Sequence, residues 1–508
     1  MPDYMFLLES RLSSEQRAVL ERVQELARSQ EVNIYLTGGA VRDLISGQPI
    51  RDLDFTVEGN PVRMVRELEK GGARVSAENE RLRQYEMVFA GDVDGSITAA
   101  RDDVYARPGT KPEHHFAGIM EDLRRRDFSV NAIAISLNIQ SRGLLLDPTN
   151  GLADLERQEV RALSIHAFTN QPIRLMRILR YAARMGFKLE SRTQEWFDLA
   201  VERGLNKNFE PADVGDELRA LGREDNPVGV LKAWESHNLL ETISPLLQKR
   251  KPDYDSLNKL ARVRINLYSA GIRARLSRPV LYYTFGRLKP KEAASILKDV
   301  EFRASEIDTI SNLVPEAQKI VQVLKGRKTS TPRDAYAYIS SVPAEMLTFI
   351  EVEFPGAHIS KLRNYMQKWR PMRLALPLGE LDALGVPRGP QFDKILEQLF
   401  EMQLRGRIRT PEERAKVLRQ LAGIKDETKK KPEKKKRGEK GAAPGMPGSE
   451  AAPETGKVAA KAAPQAAPAG VHAKGESKGA AVAPPPAKHK APLQTKSKPA
   501  PAKKTSRR

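Results

Sequence analysis

The chain has 508 residues, enough for several domains at roughly 100–200 residues each. It has no cysteine, which excludes a disulfide scaffold, a thiolate zinc site and a cysteine nucleophile, and fits the reducing cytoplasm expected as its location. Its net charge of +20 is concentrated at one end: residues 426–508 hold 20 Lys/Arg and 7 Asp/Glu, or +13, so only +7 remains for everything before them.

The N-terminal stretch MPDYMFLLESRLSSEQ has no basic run followed by an apolar one, so no signal peptide is expected. No segment approaches the ~18 uninterrupted apolar residues of a membrane helix, so no membrane partner is expected either. The first predicted element is a helix from Ser14 to Arg28, carrying periodic leucines and valines. A short β-rich run, Asn33 to Thr37, ends at Gly38-Gly39, and a helical AVRDLIS follows. A second strand covers Asp52 to Val57, and PVRMVRELEK reads as another helix. RQYEMVFA, GSITAAR, SVNAIAISL and GLLLD read as strands, which completes an α/β portion near Pro148. From Leu152 to about Gly423 the periodicity is almost entirely helical. The last ~85 residues are rich in Lys, Ala, Pro, Gly and Ser; they cannot bury enough apolar surface to offset chain entropy and are expected to be disordered. Two readings of that tail stand side by side, a flexible electrostatic arm for polyanions and a merely solubilising extension.

Asp52 and Asp54 lie two apart on a predicted strand, so both project from one face while Leu53 and Phe55 point into a core. Adjacent carboxylates repel unless a cation sits between them, and hard oxygen donors of this kind suit Mg²⁺ together with substrate phosphates. A bare D-x-D is equally compatible with a solvated acidic edge. Upstream, Gly38-Gly39 opens a helix, where glycines let backbone amides approach a phosphate closely, and Arg42 follows one turn later. Further on, Arg174 and Arg177 lie on one side of a helix whose packed stripe is Leu175, Ile178, Leu179 and Ala182.

The combination of GGAVRD (Gly38 to Asp43) and RDLDF (Arg51 to Phe55) resembles the head-domain signature of class II nucleotidyltransferases, the CCA-adding tRNA nucleotidyltransferases and bacterial poly(A) polymerases. RRDFSVNA (Arg125 to Ala132), DPTNGLADL (Asp147 to Leu155) and RLMRILRYAARMGF resemble further motifs of that family, and LGELDALGVPRGPQFDKILEQL resembles its C-terminal tRNA-contacting region. The likeness spans about Asn33 to Leu421. It implies an α+β fold: a polymerase β-like nucleotidyltransferase head over residues 1–150, a helical neck over 151–225, a helical RNA-binding body over 226–425 and the basic tail beyond. It implies that Asp52 and Asp54 are catalytic and hold Mg²⁺, while Gly38, Gly39, Arg42, Arg126, Asp127 and Asn131 bind the nucleotide. Gln171, Arg174 and Arg177 would contact its base and triphosphate. The implied reaction adds CMP and AMP, from CTP and ATP, to the 3′ end of tRNA or another RNA. A poly(A) polymerase, an A-adding enzyme, and a weakened RNA-binding homologue are the alternatives. The chain departs from the family pattern in four places. Asn170-Gln171 stands where an acidic pair is usual. Ser96 replaces a third acidic group, with Asp94 nearby on the same face as its possible substitute. Asp103 matches a usual Glu, and Ala212-Asp213 replaces a Glu-Arg pair. No histidine is followed by aspartate, which argues against a fused metal phosphohydrolase, and His114-His115 reads as a surface pair in a loop. The oligomeric state is left open.

Overall fold

The computed structural model describes residues 3–424 apart from Arg273 and Arg409; the lysine-rich tail lies outside the described residues. In chain order the head comprises α1 (Tyr4–Arg11), α2 (Ser14–Ser29), β1 (Ile34–Thr37), α3 (Gly39–Ile45), β2 (Leu53–Val57), α4 (Val62–Lys70), β3 (Arg74–Asn79), β4 (Gln84–Phe89), β5 (Val93–Ala99), β6 (Arg101–Val104), β7 (Glu113–Phe116), α5 (Ile119–Arg124), β8 (Ala134–Ser136) and β9 (Leu145–Leu146). Next come α6 (Gly151–Arg157), β10 (Glu159–Val160), α7 (Ala167–Asn170), α8 (Arg174–Met185), β11 (Lys188–Leu189), α9 (Ser191–Glu202) and α10 (Pro211–Gly222), and helices continue to Leu421.

α2 forms where the sequence predicts it. Ser13 accepts from the Gln16 backbone N–H while the Gln16 side chain accepts from Ser13, a capping box that contributes about 1 kcal/mol. Its apolar face, Val19, Leu20, Val23, Leu26 and Ala27, is buried against the sheet. Gln16 also donates to the Ile50 carbonyl at 3.0 Å, which ties the helix to the segment that leads into β2.

Seven strands make one mixed sheet in the order β3-β4-β5-β2-β1-β8-β9. β2 and β5 run parallel, and the remaining neighbours are antiparallel. Leu53, Phe55 and Val57 are buried in the core from β2. Gly95 permits the β2–β5 pairing, because a Cβ there would meet the Leu53 carbonyl oxygen at 2.1 Å.

Several expectations need correction. β3, β6 and β7 were not foreseen as strands, and α1 precedes the first predicted helix. The strand predicted over SVNAIAISL is confined to Ala134–Ser136, because Ser129–Asn131 turn as a 3₁₀ helix. The region after Leu152 is almost entirely helical as expected, interrupted by the short β10 and β11, which pair in parallel, Glu159 with Lys188 and Val160 with Leu189. His114 and His115 lie on β7 rather than in a loop, and Nδ1 of His114 is 2.7 Å from Oδ1 of Asp103.

One apolar core runs from Met5 to Leu404, and a smaller one near the C-terminal end gathers Leu381, Phe392, Ile395, Leu399 and Leu418. Trp234 is fully buried and donates to the Met176 carbonyl of α8, joining the later helices to the neck. Among the described residues no helix is long and apolar enough to cross a membrane.

Candidate active site

The sheet end that carries β2, the start of α3, the segment after α5 and the N-terminal turns of α8 surround a cavity of about 430 Å³. Gly38, Gly39, Arg42, Asp52, Asp54, Arg126, Asp127, Asn131, Gln171, Arg174 and Arg177 all line it. Asp52 immediately precedes β2 and Asp54 lies within it, while Leu53 and Phe55 turn into the core, as the two-residue alternation requires.

Burial and then the neighbouring charge of Asp52 push the Asp54 carboxyl up to about 7, against the Ser96 hydroxyl that donates to its Oδ1 at 2.8 Å. Burial is the larger of the two causes, and the repulsion between neighbouring carboxylates adds to it. The strand register aligns Asp54 with Ser96 on β5, and Ser96 with Glu86 on β4. Glu86 lines the cavity and adds to the charge felt by Asp54. Asp94, the candidate replacement for the missing third acid, does not line it. Its carboxylate is 2.9 Å from Arg275, in the helical region. Glu86 thus acts on Asp54, while Asp94 feels the charge of Asp52. The sequence hid this, because only the pairing of β4 with β5 brings Glu86 across.

Among the described residues no group of three or more His, Cys, Asp or Glu side chains is arranged to hold a metal. Asp52 and Asp54 are two neighbouring carboxylates that could hold a cation between them. That set suits a hard divalent cation which keeps water and phosphate oxygens in its coordination sphere, and does not suit a fully protein-caged ion.

Gly38 has φ +63, a backbone conformation that side chains rarely adopt, and a Cβ on it would come within 3.2 Å of Nη1 of Arg126. The idea that its amide faces a phosphate is corrected: Gly38 N–H donates to the Ile133 carbonyl at 3.2 Å, at the end of β1 beside the segment leading into β8. Gly39 is the residue that leaves space. A Cβ there would lie 3.6 Å from Nη2 of Arg42 and 3.7 Å from Oδ2 of Asp54.

The arginines are fixed individually. Arg126 is gripped by the buried Asp122, to which Nε and Nη2 donate at 3.1 and 2.9 Å, and it also donates to the Asn131 carbonyl and the Thr56 hydroxyl. Burial alone would raise the Asp122 carboxyl, but Arg126 and Arg125 outweigh it and hold the group below the usual carboxylate range. Arg125 and Arg126 are therefore not a solvated basic cluster; Arg124 alone of the three is exposed. Asp127 accepts from its neighbour Phe128 N–H, from Asn131 and from Nη1 of Arg177 at 3.4 Å. Arg42 is buried and spent on Asp43 and Asn131, at 2.9 and 2.6 Å, beneath the ring of Tyr181.

α8 presents a row of guanidiniums, Arg174 and Arg180 buried and Arg177 and Arg184 half-buried. Arg177 and Arg180 donate to opposite oxygens of Glu217 at 2.7 and 2.8 Å, Arg180 continues to Glu224 at 2.9 Å, and Arg184 reaches Asp43 at 2.7 Å. Glu217 and Glu224 were missed by the sequence reading; their spacing of seven on and just beyond α10 was the available signal. Arg174 is only 8% exposed, makes one long bond to the Ala167 carbonyl at 3.4 Å, and keeps Nε without a partner. Gln171 donates to the Tyr105 hydroxyl at 3.4 Å, while Asn170 accepts from Gly109 N–H at 2.9 Å. The two residues that replace an acidic pair thus fasten the β6–β7 connection to the neck.

A mixed sheet thus presents paired carboxylates to a glycine-edged, arginine-walled cavity, ahead of a mostly helical region. Residues 34–161 match the Poly A polymerase head domain family. The chain is similar to the A-adding tRNA nucleotidyltransferase of Aquifex aeolicus, 34% identical over 230 residues that cover 45% of this chain and 28% of that protein. It is also similar to the A-adding tRNA nucleotidyltransferase of Halalkalibacterium halodurans, 31% identical, with 47% and 56% covered. A third relative is the CC-adding tRNA nucleotidyltransferase of Deinococcus radiodurans, 33% identical, with 47% and 63% covered. The matched regions span less than two thirds of each of these relatives. A solved CCA-adding enzyme in its apo form II is 23% identical, with 83% of this chain and 99% of that chain covered at a TM-score of 0.45.

Proposed function

We propose that this chain transfers nucleotides from ribonucleoside triphosphates to the 3′-hydroxyl of an RNA, with tRNA as the acceptor and CTP and ATP as donors. The observation that carries the reading is the convergence of Asp52 and Asp54 on one cavity with the Gly38-Gly39 turn and the arginine wall. The named relatives, each a tRNA nucleotidyltransferase, support the same class of reaction.

The chain's own groups divide the work. Asp52 and Asp54 would hold a divalent cation, Mg²⁺ by donor type, which when bound neutralises the carboxylates and the developing charge on the phosphate and activates the attacking hydroxyl. Arg126, immobilised by Asp122, presents a fixed guanidinium edge to the triphosphate, and positioning of this kind is most of what phosphoryl-type transfer requires. Asp127 and Asn131 sit where the ribose hydroxyls would meet them. Arg174, with its unpartnered Nε, and Gln171 would contact the base and triphosphate, and Glu217 holds Arg177 beside them.

Two relatives named for A addition favour a second, narrower reading, addition of A alone. The Gln171 amide does not separate A from C, since both bases present an amino group beside a ring nitrogen. The test offers the purified chain ATP, CTP, GTP and UTP singly, with tRNAs ending at successive positions of a missing 3′ end. Extension by C and A supports the first reading, extension by A alone the second. No extension with any nucleotide, under Mg²⁺ or Mn²⁺, would leave a binding protein only. Action in the cytoplasm is part of the proposal.

A further inference from the structure

Beside the first cavity lies a second concave surface, of about 410 Å³, that the proposed reaction leaves unused. It is built from the turn between β3 and β4 and from the β6–β7 hairpin, and Arg101 lines both cavities. Its wall carries Arg81, Arg83 and Arg101 against one carboxylate, Glu80, and it includes His115 and Phe116. Phe116, at the end of β7, is 60% exposed. Arg83 adopts φ +47, a conformation that costs a long side chain more than it would Gly or Asn. The Arg83 carbonyl accepts from Ala99 N–H at 3.1 Å, which fixes this strained turn against the edge of the sheet. The ion pair of Arg83 with Glu80 is loose, at 3.9 Å with the Glu80 side chain 81% exposed, so it competes weakly for the guanidinium. Arg81 uses one donor on the Pro112 carbonyl at 3.1 Å.

We propose that this surface holds the single-stranded RNA segment just upstream of the reacting 3′ end, with one base stacked on Phe116 and the adjoining phosphates on Arg83 and Arg81. The inference rests on the reading that the 3′ end enters the cavity of Asp52 and Asp54. An exposed ring flanked by guanidiniums is the arrangement that grips single strands without regard to sequence, since every base has a face to stack. Continuity through Arg101 places the surface within reach of a chain whose end occupies the first cavity.

The test titrates the full chain into a short single-stranded RNA labelled with 2-aminopurine at successive positions from its 3′ end. One position is expected to be quenched by stacking. Phe116→Ala should abolish that quenching and weaken binding roughly fivefold or more, while Phe116→Trp preserves both. Arg83→Glu should lower affinity and flatten its dependence on salt. Nucleotide incorporation, measured in parallel, reports separately on the first cavity. Quenching without incorporation would remove the proposed reaction and leave this surface standing. Incorporation with no quenched position, or with Phe116→Ala and Arg83→Glu binding like the parent, would overturn the inference. So would capture of an acidic peptide by these residues with RNA ignored.

Discussion

At the scale of single residues, Asp54 couples the chemistry to stability. Its carboxyl titrates near 3.8 in an unfolded chain and at about 7 in the folded protein, because it is buried and then because Asp52 is beside it. The folded state therefore binds this proton more tightly than the unfolded state does, and stability falls as pH rises through that interval, staying low above about 7. Asp54→Asn removes the charge while leaving an oxygen for the Ser96 hydroxyl. Without divalent ions it is expected to melt higher than the parent at about pH 8 and to lose that advantage towards about pH 4. Calorimetric scans across pH check this; equal melting temperatures at the alkaline end would contradict it. Adding Mg²⁺ should stabilise the parent and not the variant, since binding to the native state alone raises its stability.

At the scale of elements, α8 and α10 are joined by charge buried between them. Glu217 serves Arg177 and Arg180 at once, and burial, which by itself would raise its carboxyl, is outweighed by those two cations so that it stays ionised. Glu217→Gln leaves two guanidiniums short of a counter-charge in a dry place and is expected to cost about 3 kcal/mol in urea unfolding. Arg177, freed from one anchor, should also weaken nucleotide binding. A loss below about 1 kcal/mol would mean that Glu224 and Asp127 compensate.

These elements also show what a one-dimensional reading reaches. Helix α2, the β1–Gly38–Gly39–α3 turn and the alternation through β2 were legible because each is specified locally, by a cap, a left-handed turn or a two-residue period. β3, β6 and β7 escaped notice because they are polar and partly exposed, so their periodicity carries little apolar contrast. Glu86, Glu217, Glu224 and Asp122 escaped for other reasons. Glu86, Glu217 and Glu224 each owe their place to a partner brought in by sheet register or helix packing, tens of residues away in sequence, whereas Asp122 pairs with Arg125 and Arg126 only three and four residues on. The arginines of α8 looked like an exposed basic face because their counter-charges come from α10 and from the head.

At the scale of the molecule, head and helices form a continuous structure whose cavity needs both. Arg184 of α8 bonds Asp43 of α3, Arg177 bonds Asp127, and Arg275 reaches Asp94 at the β4–β5 end. The head contributes the carboxylates and the glycine turn, while the neck contributes Gln171, Arg174 and Arg177. Nucleotide and RNA would thus be held across the junction, with reaction and base choice assigned to different parts of the chain. The most direct measurement follows labelled ATP and CTP into tRNA lacking its 3′ end, comparing the parent with Asp52→Ala, Asp54→Ala and the double variant, each checked for native circular dichroism. The account predicts incorporation by the parent and its loss, by about a hundredfold or more, in every variant. Undiminished incorporation by a folded double variant would contradict it.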